Sequence, residues 1–248
     1  MTCFSATMNL FLYLTAVISV CYGASIPKCK IGSPDFNACL TKLIQSIFRA
    51  SKLGFPEYGV TKSFDPLIIP KLTIDTGKGP VQLTQYYKDL TVTGFSNLTV
   101  KSVSLDLKKP ILQFFAHFPK ILQMGHYKID GKILALPING DGQSTLELSN
   151  TDVNIKLSFE KIKKDEQTYL KIISCVLDIR PQNLKVHFEN LFNGNKLMGD
   201  NMNKVINEEW QSLFNDVKPS IDKTYGEVFK VYWQTFYDNI PMEKMFFE

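Results

Sequence analysis

From Leu72 to about Phe188 the apolar residues recur at every second position: Leu98 and Val100, then Val103, Leu105 and Leu107, Tyr127, Ile129 and Ile133, and later Leu184, Val186 and Phe188. Polar side chains such as Lys101, Asp106, Lys128, Asn154 and Lys185 fill the alternate places. Strands with one apolar and one wet face belong to an antiparallel sheet. Gly94, Gly131 and Asn139-Gly-Asp-Gly142 fall between these runs as turns, and no helical pattern intervenes, so a long meander is expected.

A helical period flanks the sheet on both sides. Phe36, Leu40, Leu43, Ile44, Ile47 and Phe48 form one face behind Ser33-Pro34-Asp35, with a cap residue, a proline at the first helical position and an acid in the first turn. Gly54 and Pro56 end that helix. After Asn193-Gly194 a longer stripe runs through Met202, Ile206, Trp210, Phe214 and Val217, and it resumes after Pro219 with Ile221, Val228, Phe229 and Trp233. Pro219 should kink or divide this helix, because it lacks a backbone donor. Ile240-Pro241 opens an apolar tail that ends at Phe247.

The chain begins with a different kind of segment. Its first charged side chain is Lys28, and Asn9-Leu-Phe-Leu-Tyr-Leu-Thr-Ala-Val-Ile-Ser-Val-Cys21 precedes the small residues Gly23 and Ala24. Residues 1–23 read as a secretory signal peptide and 24–248 as a single domain. The apolar run is short for a spanning helix, which needs roughly 20 residues. Export places the mature chain in an extracellular, disulfide-permissive setting. There a Cys29 to Cys39 bond would pin the new N-terminus to the first helix, adding about 2–3 kcal/mol through loop-closure entropy. Cys175 is left over and shares its parity with Ile173 and Leu177, which suits a buried, inert thiol. Asn97-Leu-Thr99 is an N-glycosylation acceptor.

With 44% hydrophobic residues the chain can bury enough surface to fold, which excludes disorder. A net charge of +4 carried by scattered lysines excludes a nucleic-acid polycation. Catalytic motifs are missing as well: there is no serine elbow, no phosphate loop and no histidine pair at metal-binding spacing. His117 and His187 fall on the polar strand parity, with His126 in a similar stretch, and adjacent Glu208 and Glu209 cannot face one another on a helix. No catalytic residue, metal or cofactor is expected.

The order and spacing of several motifs are specific. They are the Cys29/Cys39 pair, Phe64-Asp-Pro-Leu-Ile-Ile-Pro-Lys-Leu-Thr-Ile74, Thr93-Gly-Phe-Ser96, Gly125-His-Tyr-Lys-Ile-Asp-Gly131 running into Leu136-Pro-Ile-Asn-Gly-Asp-Gly142, Glu189-Asn-Leu-Phe-Asn-Gly-Asn195, Asn207-Glu-Glu-Trp210, and the Ile240-Pro241 tail. In these the chain resembles the insect takeout and juvenile-hormone-binding-protein family over essentially its whole mature length. The hormone-binding branch usually carries a second disulfide, whereas Cys175 has no partner here, so the resemblance is nearer to takeout.

That resemblance implies an α+β fold in which a long C-terminal helix is wrapped by a strongly curved antiparallel sheet. It also implies a tunnel for an extended apolar ligand, such as a terpenoid, a fatty acid or a quinone-like molecule. The expected function is a secreted, non-enzymatic, monomeric carrier. Phe114, Phe118, Ile129, Ile133, Ile155, Leu157, Ile173, Trp210, Phe214 and Phe229 are the expected wall, with Tyr127 and Gln113 as polar anchors. The alternative is a lipid-transfer or lipid-sensing protein making transient membrane contact through the tail at Met242 to Phe247.

Overall fold

The computed structural model describes residues 27–58, 60, 63–76, 79–133 and 136–248. The expected signal peptide, residues 1–23, lies outside them. The elements run in the order β1 (Cys29–Lys30), α1 (Phe36–Ala50), β2 (Leu67–Asp75), β3 (Val81–Thr93), β4 (Thr99–Asp106), β5 (Ile111–Ile133), β6 (Leu136–Lys164), β7 (Gln167–Phe188), α2 (Lys196–Glu208), α3 (Trp210–Tyr237), α4 (Met242–Met245) and β8 (Phe246–Phe247).

The alternating segments form one antiparallel, curved sheet in the order β2-β3-β5-β6-β7. Unlike a simple meander, β4 does not pair with β3. Both flank β5, β4 along Ile111–His117 and β3 along Leu122–Ile133. The long strands bend by changing which side faces inward. In β5 the buried positions are Leu112, Phe114, Ala116 and Phe118, and beyond Pro119-Lys120 they become Gln123, Tyr127 and Ile129. Opposite that switch Asn150 adopts a left-handed backbone, φ 48°.

Glycines expected in turns lie within strands. Gly131 is part of β5, and Asn139 to Gly142 is part of the 29-residue β6. The bareness of Gly140 serves a close approach, since a Cβ there would sit 2.4 Å from the Tyr127 hydroxyl and 2.9 Å from Leu191 Cδ2.

Helical side chains occupy backbone groups along two of the sheet's edge strands, β4 and β7. On β4, Gln45 of α1 donates to the Leu98 carbonyl (2.7 Å) and accepts from the Val100 N–H (2.9 Å). On β7, Asn203 accepts from the Phe188 N–H and donates to its carbonyl, both at 2.9 Å. Asn207 does the same for Val186 (2.8 and 2.7 Å). Further along β7, Asp222 accepts from Ile179 N–H (3.1 Å) and Gln234 from Ile172 N–H (2.7 Å). An edge so occupied offers no template to another strand.

The helices differ from expectation in detail. α1 starts at Phe36, after a turn in which Phe36 N–H bonds to the Ser33 carbonyl, so Pro34 precedes the helix instead of opening it. The C-terminal helix breaks at Glu209 (φ −101°, ψ 17°), and Pro219 sits inside α3. Pro219 and Asn215 are both exposed, so water can bond the Asn215 carbonyl that the proline leaves without a donor. The tail is packed: Ile240, Met242, Met245 and Phe246 are buried, β8 pairs with β1, and the Cys29–Cys39 disulfide ties that ribbon to α1. Of the tail's apolar residues, Phe247 stays at the surface, 47% exposed.

Candidate functional site

A cavity of about 120 Å³ lies between α3 and the inner face of the sheet. Its floor is apolar because the inward parity of three strands meets there: Phe114 and Phe118 from β5, Ile155 from β6, and Leu177 and Ile179 from β7. From α3, Phe214, Ile221, Phe229 and Trp233 close it at helical spacing. A void of about 20 Å³ adjoins it and shares Phe48, Phe95, Phe229 and Trp233 with it. These rings form two edge-to-face pairs, Phe48 with Trp233 (centroids 5.1 Å apart) and Phe95 with Phe229 (5.4 Å).

The hydrogen-bonding groups in the lining are concentrated in two pairs. The Tyr87 hydroxyl donates to Gln85 Oε1 (2.7 Å), and the Tyr225 hydroxyl, from α3, donates to Gln123 Oε1 on β5. Burial pushes both phenols well above their ordinary value, so they stay un-ionised. The lining contains no Lys, Arg, His, Asp or Glu among the described residues.

Of the residues expected to form the wall, Phe114, Phe118, Ile155, Phe214 and Phe229 line the cavity. Ile129, Ile133 and Leu157 are buried elsewhere in the core, and Trp210, at the start of α3, is packed against it. Tyr127 is fully buried outside the cavity, where its hydroxyl donates to the Glu189 carbonyl (2.7 Å) and its ring meets Phe188 at 4.6 Å.

Two expected placements are corrected. Ile173 is 48% exposed, because it is the extra residue of a bulge: Ser158 pairs with Ser174 and Phe159 with Ile172. One inserted residue flips the parity, so Ile172 and Cys175 are buried and Ile173 points out. Gln113 is exposed on the outer face and donates to Asn154 Oδ1 (3.1 Å).

The polar pairs were not singled out from the sequence. The available signal was a polar residue on an otherwise apolar parity, as in Val81, Leu83, Gln85 and Tyr87. The histidines stand apart from the cavity: His117 Nδ1 is 2.8 Å from Asp152, His126 Nε2 is 3.1 Å from Asp141, and His187 is exposed. Among the described residues no group of three or more His, Cys, Asp and Glu is placed to hold a metal ion. Cys175 is buried and unpaired, and burial pushes its thiol up to about 12. Asn97 is exposed at the end of a short turn.

Residues 10–247 match the family model described as haemolymph juvenile hormone binding protein. The chain belongs to this family. Among its relatives is the circadian clock-controlled protein daywake of Drosophila melanogaster, 28% identical over 234 residues, covering 91% of this chain and 88% of that protein. Another is a putative beta-carotene-binding protein of Schistocerca gregaria, 23% identical over 217 residues, covering 86% and 85%. The crystal structure of Epiphyas postvittana Takeout 1 superposes with a TM-score of 0.75 at 27% identity, covering 88% of this chain and 98% of that one. In this juvenile-hormone-binding-protein fold, the cavity described above is the space enclosed by the long helix and the curved sheet. No helix among the described residues is long and apolar enough to cross a membrane.

Proposed function

We propose that the chain is a secreted carrier that holds a small, extended hydrophobic molecule, of terpenoid, fatty-acid or quinone-like type, in the cavity between α3 and the sheet. The observation that carries this reading is a cavity walled by aromatic and aliphatic side chains, with most of its hydrogen-bonding groups gathered at two Tyr–Gln pairs. Phe114, Phe118, Ile155, Phe214 and Phe229 form the ligand wall. Each Å² of apolar ligand surface withdrawn from water there contributes roughly 25 cal/mol, so affinity needs no charged contact. Family membership supports the same reading, as does a lining without histidine or acid among the described residues.

Secretion is supported by the apolar N-terminal segment and by the Cys29–Cys39 bond, and the exposed Asn97 would then carry a glycan. Native mass spectrometry of the protein collected from culture medium, before and after organic extraction, tests the carrier. The expected result is a bound small molecule lost on extraction and a higher unfolding midpoint on readdition, since ligand at 100 times its Kd adds about 2.7 kcal/mol. A protein that never holds a molecule and whose midpoint moves with no terpenoid, lipid or quinone is not a carrier of this kind.

A further inference from the structure

We propose that the edge of β2 between Lys71 and Asp75 pairs with the same edge of a second copy of the chain, about a two-fold axis at Thr73. Of the sheet's edge strands, β4 and β7 have backbone groups taken up by helical side chains. On β2 the Tyr232 hydroxyl of α3 donates to the Ile68 carbonyl, and Pro70 has no N–H to offer. Past Pro70 this protection stops. Thr76 N–H bonds to the Leu83 carbonyl of β3 (3.0 Å), so by alternation Leu72 and Ile74 also aim their backbone groups at β3, and Lys71, Thr73 and Asp75 aim theirs at the free edge. The side chains of these three are exposed, whereas Leu72 and Ile74 are buried. Among the described residues, no group of another element bonds to the edge-facing backbone of Lys71 or Thr73. An edge in that state is a template for another strand.

The charges identify the strand that fits. In an antiparallel pair centred on Thr73, Lys71 of each copy lies opposite Asp75 of the other, and the two Thr73 side chains meet at the axis. Sliding the pair by two residues loses both ion pairs, and sliding it by four sets Lys71 against Lys71 or Asp75 against Asp75. Within one chain Lys71 stands directly opposite Lys88 on β3, a like-charge pair that destabilises an isolated sheet. An acid from the second copy on the other side of Lys71 offsets that repulsion. Three edge-facing residues from each copy supply about six backbone hydrogen bonds. The inference does not depend on what the cavity holds, and it replaces the expected monomer with a two-fold dimer.

Sedimentation velocity of the mature protein from about 1 to 200 μM tests this. The unsubstituted chain should pass from monomer to dimer as concentration rises. Lys71→Asp sets acids against acids across the axis, and Asp75→Lys sets lysines against lysines. Each should weaken dimerisation by at least about tenfold, with an unchanged circular dichroism spectrum, because both side chains are exposed. Mixing the two variants in equal amounts should restore the dimer, since every lysine at the axis then faces an acid. A chain that stays monomeric throughout overturns the inference. So does a dimer that neither substitution weakens, or a mixture of the two variants that remains monomeric.

Discussion

The Tyr225 hydroxyl donates to the Gln123 carbonyl, joining α3 to β5 across the cavity by a polar contact set in an apolar wall. Tyr225→Phe removes the donor and leaves a buried carbonyl without a partner. Such a loss costs about 1–3 kcal/mol. Gln123→Leu combined with Tyr225→Phe removes both partners, so the double variant should lose less than the sum of the single losses. Urea unfolding of the four proteins gives the cycle, and strictly additive values would mean the contact contributes nothing.

The same phenols contribute to an alkaline limit, together with Tyr127, Tyr232 and Tyr237, which burial also raises. Tyr87 and Tyr225 have folded pKa values raised by burial above the ordinary 10.0. Below that value both folded and unfolded chains keep the protons, and the contribution to stability is complete. Above it the unfolded chain releases protons that the folded chain retains, so stability falls as pH rises. Each phenol adds up to about 1.4 kcal/mol per pH unit to that fall. Unfolding free energies measured from pH 9 to 11.5 should decline less steeply in Tyr225→Phe than in the unsubstituted protein, with the lysine titration common to both.

Alternation and helical period sufficed to place the sheet and its flanking helices, because burying one face imposes a period that survives in the side chains. What escaped depended on backbone events that change the period without changing composition. The inward parity of β5 switches at Pro119-Lys120, and the bulge at Ile173 reverses that of β7. Gly140 marks contact with Tyr127 and Leu191, which lie far apart in sequence, and so it resembled a turn. The break at Glu209 carries no glycine or proline to announce it. Within the site, the phenylalanines on strong strand or helix periods were legible. Gln85 and Gln123 were not, because whether a polar residue on an apolar parity faces a void or a packed core is decided by elements distant in the chain.

Asn203 stands in for a neighbouring strand beside Phe188, and it is 9% exposed. Asn203→Leu leaves both the N–H and the carbonyl of Phe188 unpaired in a buried setting, which should cost about 2–4 kcal/mol. Asn207 makes the equivalent pair with Val186 at a more accessible position, where water can replace it. Asn207→Leu should therefore cost less, about 1–2 kcal/mol. Thermal or urea unfolding decides the order, and the reverse order would show that burial does not govern these edge bonds.

Gly226 marks the closest approach of α3 to β7. A Cβ there would lie 2.6 Å from the Cys175 carbonyl oxygen, a backbone atom that cannot swing aside. In an ordinary helix Gly→Ala stabilises by up to about 1 kcal/mol. Here Gly226→Ala should instead destabilise by about 1–3 kcal/mol, because α3 must move away from the strand. Since Tyr225 and Phe229 lie on the same stretch of helix, binding of an apolar fluorescent reporter in the cavity should weaken in parallel.

Adjacent isoleucines on β7 provide the sharpest test of the bulge. Ile172 is 2% exposed, and its N–H is held by Gln234 of α3, whereas Ile173 is 48% exposed. A regular strand would also put neighbours on opposite faces, so the contrast between them is not itself diagnostic. What the bulge adds is that Ile172 and Cys175, three positions apart, share the inner face, while unbroken alternation from Cys175 and Leu177 would bury Ile173. Ile172→Ala should then cost about 2–5 kcal/mol, the usual loss for a buried branched side chain. Ile173→Ala should stay within about 0.5 kcal/mol of the unsubstituted protein. Denaturant unfolding of the two variants separates the registers, because a strand without the bulge requires the larger loss at Ile173.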